Sequence, residues 1–152
     1  MRIEQIRQIL REHGAKACHE ERMLRAWTRA QPLESGPVPA AQFLPLSLRD
    51  ALPAVAARLD GLARVRSEHR GEDGSARLLV ELGPGDTVES VLLPRDGLCV
   101  STQVGCAVGC TFCMTGRDGL LRQLGSAEIV AQVVLGRRRR AVKKVVFMGM
   151  GE

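Results

Sequence analysis

The hydrophobic pattern changes period near Gly61, and this change constrains the fold more than any other feature of the sequence. Before it, apolar residues such as Ile3, Ile6 and Leu10 recur three or four positions apart, which is the spacing of one face of a helix. After it, apolar and polar residues alternate, as in residues 76–82, which is the period of a half-buried strand. The sequence therefore predicts a mixed fold, α+β to α/β, in which a helical unit precedes a sheet.

Residues 1–60 are predicted to form a small helical accessory domain. The second helix is expected to start at about Glu20. A third is predicted to begin at Ser47, whose side chain can cap it, with Asp50 as the capping-box partner. Because proline lacks an amide hydrogen and clashes with the preceding turn, Pro53 is expected to kink that helix or split it in two.

Residues 61–97 are predicted to form a small antiparallel β linker. Their β-favouring runs are separated by glycine-rich turns and cover residues 62–69, 76–82 and 88–93. Such spacing is typical of a meander.

Residues 98–152 contain one strand–helix–strand unit. A strand is predicted over residues 98–104, a helix from an N-cap at Ser126, and a buried strand over residues 144–148. This βαβ pattern indicates the start of a parallel sheet or barrel. Since two parallel strands leave their faces and edges uncovered, we expect either that the natural polypeptide continues past Glu152 or that the missing strands come from elsewhere.

Composition and charge narrow the class of protein. The chain has 152 residues, 45% of them hydrophobic, and no apolar stretch approaches the ~20 residues of a membrane span. Three of its five cysteines lie too close together for a secreted disulfide framework, which predicts a reducing, cytoplasmic location. A net charge of +5 favours polyanions such as RNA, although the 3% aromatic content and the lack of tyrosine disfavour a base-stacking platform.

The closely spaced thiols belong to Cys106, Cys110 and Cys113, in the pattern C-x3-C-x2-C, with no fourth ligand nearby. A structural zinc site requires four ligands, whereas a cubane iron–sulfur cluster can be held by three thiolates with one iron open to a ligand. The pattern favours the cluster. A zinc knuckle and three buried free cysteines remain the alternatives.

A second motif, Gly149-Met150-Gly151-Glu152, follows the last predicted strand. Glycines permit close backbone approach to a ligand, and a carboxylate pairs with an ammonium group. A Gly-x-Gly-Glu sequence by itself is equally compatible with an ordinary turn.

The cysteine spacing, with an aromatic residue, Phe112, before the last cysteine, resembles the signature of radical S-adenosylmethionine (SAM) enzymes. The resemblance implies a partial (β/α) barrel, of which this chain would hold a truncated start. It also implies a [4Fe-4S] cluster on Cys106, Cys110 and Cys113, whose open iron binds SAM and whose electron generates a 5′-deoxyadenosyl radical. Phe112 and residues 149–152 are then expected to contact SAM, and a flavodoxin or ferredoxin to supply the electron.

A longer stretch of the sequence around the cysteines resembles one particular family of these enzymes. Residues 98–116, with Glu128 and the ending 147–152, are similar to the radical SAM adenine-C2 RNA methyltransferases, which modify large-subunit ribosomal RNA and some transfer RNAs. The similarity covers roughly residues 70–152 and is thin before residue 60. The related adenine-C8 resistance methyltransferases share much of this pattern.

The same resemblance implies a catalytic role for Cys99, which otherwise fits a small buried strand residue. In that family two SAM molecules are used, one of them to methylate a cysteine late in the chain. A cysteine placed like Cys99 then resolves the covalent RNA–protein adduct and forms a disulfide with the methyl-carrying cysteine. No cysteine follows Cys113 here, so we expect the chain to be an N-terminal portion and to be inactive alone.

Three alternatives remain open for the whole chain: another radical SAM enzyme, a non-catalytic basic RNA-binding module, and a degenerate fragment. The basic run at residues 137–140, followed by Lys143 and Lys144, fits phosphate contacts and a solvated helix end equally well.

Overall fold

A computed structural model describes residues 1–83 and 85–147, and its largest element is a mixed five-stranded sheet. The strands of this sheet are β1 (Arg64–Arg70), β2 (Ala76–Glu81), β3 (Thr87–Leu93), β4 (Gly97–Cys99) and β7 (Lys144–Val146), in the order β1-β2-β3-β4-β7. Neighbours among β1 to β4 are antiparallel, whereas β7 is parallel to β4. Two short strands, β5 (Gln103–Gly105) and β6 (Leu120–Gln123), pair with each other in a separate antiparallel sheet.

The other regular elements are helices. In the described ranges they are α1 (Ile3–Glu12), α2 (Ala17–Thr28), α3 (Ala40–Phe43), α4 (Leu46–Asp60) and α5 (Ser126–Arg137), with a 3₁₀ turn at Met114–Gly116. The apolar spacing explains the long ones: Leu48, Val55 and Leu59 lie on one buried face of α4, as expected for an amphipathic helix.

The hydrophobic core lies between the helices and one face of the five-stranded sheet. Leu78, Val80 and Val88 on that face are fully buried. Helix α5 packs closely here because Gly136 has no side chain: a Cβ at this position would lie 2.9 Å from a Leu98 methyl carbon. The helix that follows the small sheet therefore covers β4, as in a βαβ unit.

The predicted fold class is confirmed. The meander of β1 to β3 and the parallel pairing of β4 with β7 both occur. The predicted strand over residues 98–104 is wrong as a single element, because the chain leaves the large sheet after Cys99 and enters the small one at Gln103. Strand β6 was not predicted, and the end of the predicted last strand, at Met148, lies outside the described residues.

Helix starts differ from the sequence predictions for identifiable reasons. Pro45 precedes α4, and Ser47 lies inside the helix, where its hydroxyl donates a hydrogen bond to the carbonyl oxygen of His13 at 2.8 Å. Pro53 does not split α4, which runs unbroken from Leu46 to Asp60. Helix α2 begins at Ala17 rather than near Glu20.

The prediction that Ser126 is the N-cap of α5 is wrong. Gly125 is the N-cap, and its amide donates to the Glu128 carboxylate at 2.7 Å. Ser126 is the first helical residue instead, and its hydroxyl oxygen accepts a hydrogen bond from the amide of Ile3. The serine joins two helices rather than capping its own.

The predicted division at residues 60 and 97 stays a prediction. Residues of all three predicted segments contribute to a single hydrophobic cluster. The boundary at residue 97 also falls inside β4, which pairs with β3 on one side and β7 on the other.

Candidate functional site

The cysteine-bearing loop, residues 106–119, is closed at its base by the small β5–β6 sheet. The amide of Cys106 donates to the carbonyl oxygen of Gly119 at 3.0 Å. Gly105, immediately before the loop, has a φ of +73°, and a Cβ there would lie 2.1 Å from the same Gly119 oxygen. Only glycine fits this crossing, so the loop base depends on it.

The three cysteines of the loop differ in exposure. Cys106 is 9% exposed, whereas the thiols of Cys110 and Cys113 are exposed. A hydrogen bond of 3.0 Å from the Cys113 amide to the Cys110 carbonyl closes a turn between these two. The loop therefore offers two accessible thiols and one at its base.

Hydrogen bonding favours the thiolate at Cys113. Bonds from the side chain and backbone of Thr115 lower the pKa of the Cys113 thiol, because they stabilise its anionic form. The Glu89 carboxylate opposes this effect. A thiolate is the form that binds a metal.

Apolar side chains on and beside the loop are unusually exposed. Phe112 is 90% exposed and Met114 75% exposed, and Val108 and Leu121 also face outward. Phe112, the predicted SAM contact, therefore presents nearly its whole side chain at the surface of the described structure.

The donor chemistry of the loop fits an iron–sulfur cluster. Within residues 1–83 and 85–147 no three His, Cys, Asp or Glu side chains are grouped to hold a single metal ion. A cubane places each thiolate on a different iron, so its ligands need not converge on one point.

A buried amide also lies near the loop base. Gln103 is 1% exposed, and its Nε2 donor has no hydrogen-bond partner in the described structure.

Cys99 lies on the sheet face that turns away from α5. It pairs with Val91 on β3 and with Val146 on β7, and all three are half-buried. Leu98, one residue earlier, points the opposite way and packs against Gly136. Since side chains alternate along a strand, Cys99 is directed to the side that α5 does not cover.

Sequence reasoning missed Glu89 as part of this face. It lies two residues before Val91 on β3, its carboxylate is 3.5 Å from Arg77, and its charge acts on the Cys113 thiol. Strand alternation was the one available signal, because it places Glu89 opposite to the buried Val88 and Ser90.

The basic run at residues 137–140 is engaged within the chain. Each arginine contacts a different element: Arg137 donates to the Thr28 carbonyl, Arg138 pairs with Asp60, Arg139 pairs with Glu68, and Arg140 donates to the carbonyls of Gly74 and Leu93. The structure gives all four a role in holding the end of α5.

Two further predictions concern the end of the chain and the membrane. The predicted SAM-binding residues Gly149, Met150, Gly151 and Glu152 lie outside the described residues. No described helix has the length and apolar character needed to cross a membrane.

Comparisons with known proteins agree with the resemblance found in the sequence. No protein-family model matches the chain. Over its whole length it is 74% identical to a probable RNA methyltransferase of Leptothrix cholodnii and 72% identical to one of Dechloromonas aromatica, spanning 44% and 43% of those proteins. The whole chain also superposes on 46% of a radical SAM methyltransferase structure from Sphaerobacter thermophilus, with a TM-score of 0.70 and 34% identity. The chain thus spans less than half the length of these relatives.

Proposed function

We infer that this chain, a relative of the probable RNA methyltransferases with the fold of a radical SAM methyltransferase, carries the cluster-binding part of an enzyme that methylates RNA. The observation that carries the inference is the position of the cysteine loop. In a chain with this fold, three thiols lie in the loop between β5 and β6, after β4 and before the helix α5 that covers β4.

We propose that Cys106, Cys110 and Cys113 hold a [4Fe-4S] cluster and that Phe112 and residues 149–152 contact SAM. When bound, the cluster and SAM supply the radical chemistry that amino-acid side chains lack. The chain's own part is to present the thiolates, and the hydrogen bonds of Thr115 to Cys113 favour the required charge state. The glycines and the Glu152 carboxylate suit the amino group of SAM.

We propose that the product is 2-methyladenine in large-subunit ribosomal RNA, and in some transfer RNAs, made in the cytoplasm with electrons from a flavodoxin or ferredoxin. The enzyme would use two SAM molecules and a methyl-carrying cysteine outside this chain. Once the adduct radical has lost one electron to the oxidised cluster, Cys99 would assist removal of the proton from the adenine carbon. The Cys99 thiolate would then attack the sulfur of the methyl-carrying cysteine: the disulfide forms, the carbon–sulfur bond of the adduct breaks, and its electron pair, with a proton, completes the new methyl group. The position of Cys99 on the uncovered face, with the Glu89 side chain on the same face, supports a role facing the substrate.

The test is anaerobic reconstitution of the full-length protein with iron and sulfide, followed by assay on ribosomal RNA. We expect bound iron in the wild type, loss of iron in Cys110→Ala, and a trapped RNA–protein adduct in Cys99→Ala. Mass spectrometry of the modified nucleoside separates methylation at C2 from methylation at C8. RNA binding without iron, unaffected by Cys110→Ala, would instead identify a non-catalytic RNA-binding module.

A further inference from the structure

Gln132 is completely buried in α5 and contacts the segment that joins the two sheets. Its side-chain oxygen accepts a hydrogen bond from the amide of Ser101 at 3.0 Å, and its side-chain nitrogen donates to the carbonyl of Ser101 at 2.9 Å. One side chain thus satisfies both backbone groups of a single residue.

The location of Ser101 explains why such a contact is needed. Strand β4 ends at Cys99, the Val100 amide still donates to the Val146 carbonyl, and β5 begins in the other sheet at Gln103. Within the described residues, Ser101 belongs to neither strand ladder, and an unpaired buried amide or carbonyl is costly. A primary amide carries donor hydrogens and an acceptor oxygen side by side, so it can bond to both the amide and the carbonyl of one residue, as a neighbouring strand would.

Further hydrogen bonds fix this junction to β3. The hydroxyl of Ser90 donates to the Gln132 side-chain oxygen at 2.8 Å, and the hydroxyl of Ser101 donates to the Glu89 carbonyl at 2.6 Å. Ser90 and Ser101 are both at most 1% exposed. The junction is therefore a closed polar network inside an apolar core, where such bonds are strong and alternatives are few.

We propose that Gln132 is a positioning residue that sets the Cys99 thiol relative to the cysteine loop. Cys99 lies two residues before Ser101, at the end of one sheet, and Cys106 lies five residues after it, at the end of the other. Any shift of the backbone at Ser101 therefore changes the distance and direction from Cys99 to Cys106. This inference rests on the proposed function, in which Cys99 must reach the adduct.

The chemistry of the contact predicts which replacements fail. Glutamate at position 132 would keep the acceptor for the Ser101 amide but turn an oxygen toward the Ser101 carbonyl. Methionine has similar length and offers neither bond. Asparagine keeps the amide but is one methylene shorter, so it cannot reach both groups.

The experiment compares full-length wild type, Gln132→Met and Cys99→Ala, each reconstituted with cluster and incubated with SAM and ribosomal RNA. We expect both Cys99→Ala and Gln132→Met to accumulate covalent RNA–protein adduct, about tenfold or more above wild type. Hydrogen–deuterium exchange should also quicken at residues 100–103 while the rest of the core stays protected. If Gln132→Met does not fold, Gln132→Asn takes its place.

Glu20→Gln is the matched control for lost stability. Glu20 is 2% exposed and pairs with Arg7 and Arg11 in the helical unit, away from the junction. We expect this variant to lose stability without accumulating adduct. Equal adduct levels in wild type and Gln132→Met, with Cys99→Ala trapping adduct, would overturn the positioning role. No methylation by wild type and no adduct in Cys99→Ala would contradict the proposed function itself.

Discussion

At the scale of single residues, Glu128 shows how burial and hydrogen bonding compete. Burial raises the pKa of its carboxyl group, but bonds from Arg122, the amino group of Met1 and the amide of Gly125 outweigh burial and lower the pKa to about 2. The carboxylate thereby ties the N-terminus and β6 to the start of α5. Its charged form is an integral part of the fold.

Stability should therefore depend on the protonation of Glu128. The folded pKa lies below the reference value of 4.5, so its stabilisation is complete above pH 4.5 and is lost as the pH falls toward about 2. Glu128→Gln should lower the free energy of unfolding at pH 7 by about 2–4 kcal/mol and flatten this acid dependence, measured by denaturant unfolding. Glu4→Gln, at a carboxylate that is 69% exposed, is the control and should change little.

The thiol of Cys113 gives a second residue-scale prediction. Thr115→Val removes the side-chain hydrogen bond that lowers the Cys113 pKa, so less thiolate should be present near neutral pH. In protein without cluster, alkylation of Cys113 followed by mass spectrometry should slow. Thr111→Val, at an exposed threonine of the same loop, should leave the rate unchanged. An unchanged rate in Thr115→Val would show that its hydroxyl does not stabilise the thiolate.

At the scale of elements, the C-terminal end of α5 is held by arginines rather than left free for a ligand. Arg140 donates to the Gly74 carbonyl at 2.9 Å and to the Leu93 carbonyl at 2.6 Å, so Arg140→Met should cost about 1–3 kcal/mol of stability. Denaturant unfolding measures the loss. Arg58→Met, at an exposed arginine of α4, should stay within about 0.5 kcal/mol of wild type. A weakened salt dependence of RNA binding with unchanged stability would favour the phosphate role instead.

The β3–β4 turn carries strain that a substitution can relieve. Arg95 and Asp96 both have φ of +60°, a left-handed conformation that glycine and asparagine adopt more easily. Arg95→Asn should therefore stabilise the protein by about 0.5–1 kcal/mol, seen as a raised melting temperature. Asp96→Ala should have the opposite effect, because the Asp96 carboxylate also pairs with Lys143 at 2.8 Å.

At the scale of the whole molecule, the share of its relatives' length that this chain covers decides the activity expected of it alone. Residues 1–152 span less than half the length of the relatives, and the predicted methyl-carrying cysteine lies outside them. We expect this chain alone to transfer no methyl group to ribosomal RNA in a radiolabelled SAM assay under anaerobic, reducing conditions. The full-length protein is the positive control. Methylation by the chain alone would refute the requirement for a later cysteine.

Periodicity and motif spacing carried the prediction of the fold class, the meander and the cysteine loop. Such features are local: alternation along β2 and the spacing of Cys106, Cys110 and Cys113 are visible without knowing what packs against them. Helix boundaries were less predictable. The serines at 47 and 126 bond to distant segments instead of capping their own helices, and nothing local marks a distant partner.

The sequence by itself determined the chemistry available to this protein, because the identity and spacing of the thiols are written along the chain. Only the tertiary structure decided that Cys99 and the cysteine loop belong to different sheets, and that Gln132 joins α5 to the crossing between them. The physical reason is that a buried amide needs a partner, and whether that partner is a strand or a side chain 31 residues away depends on how the elements pack.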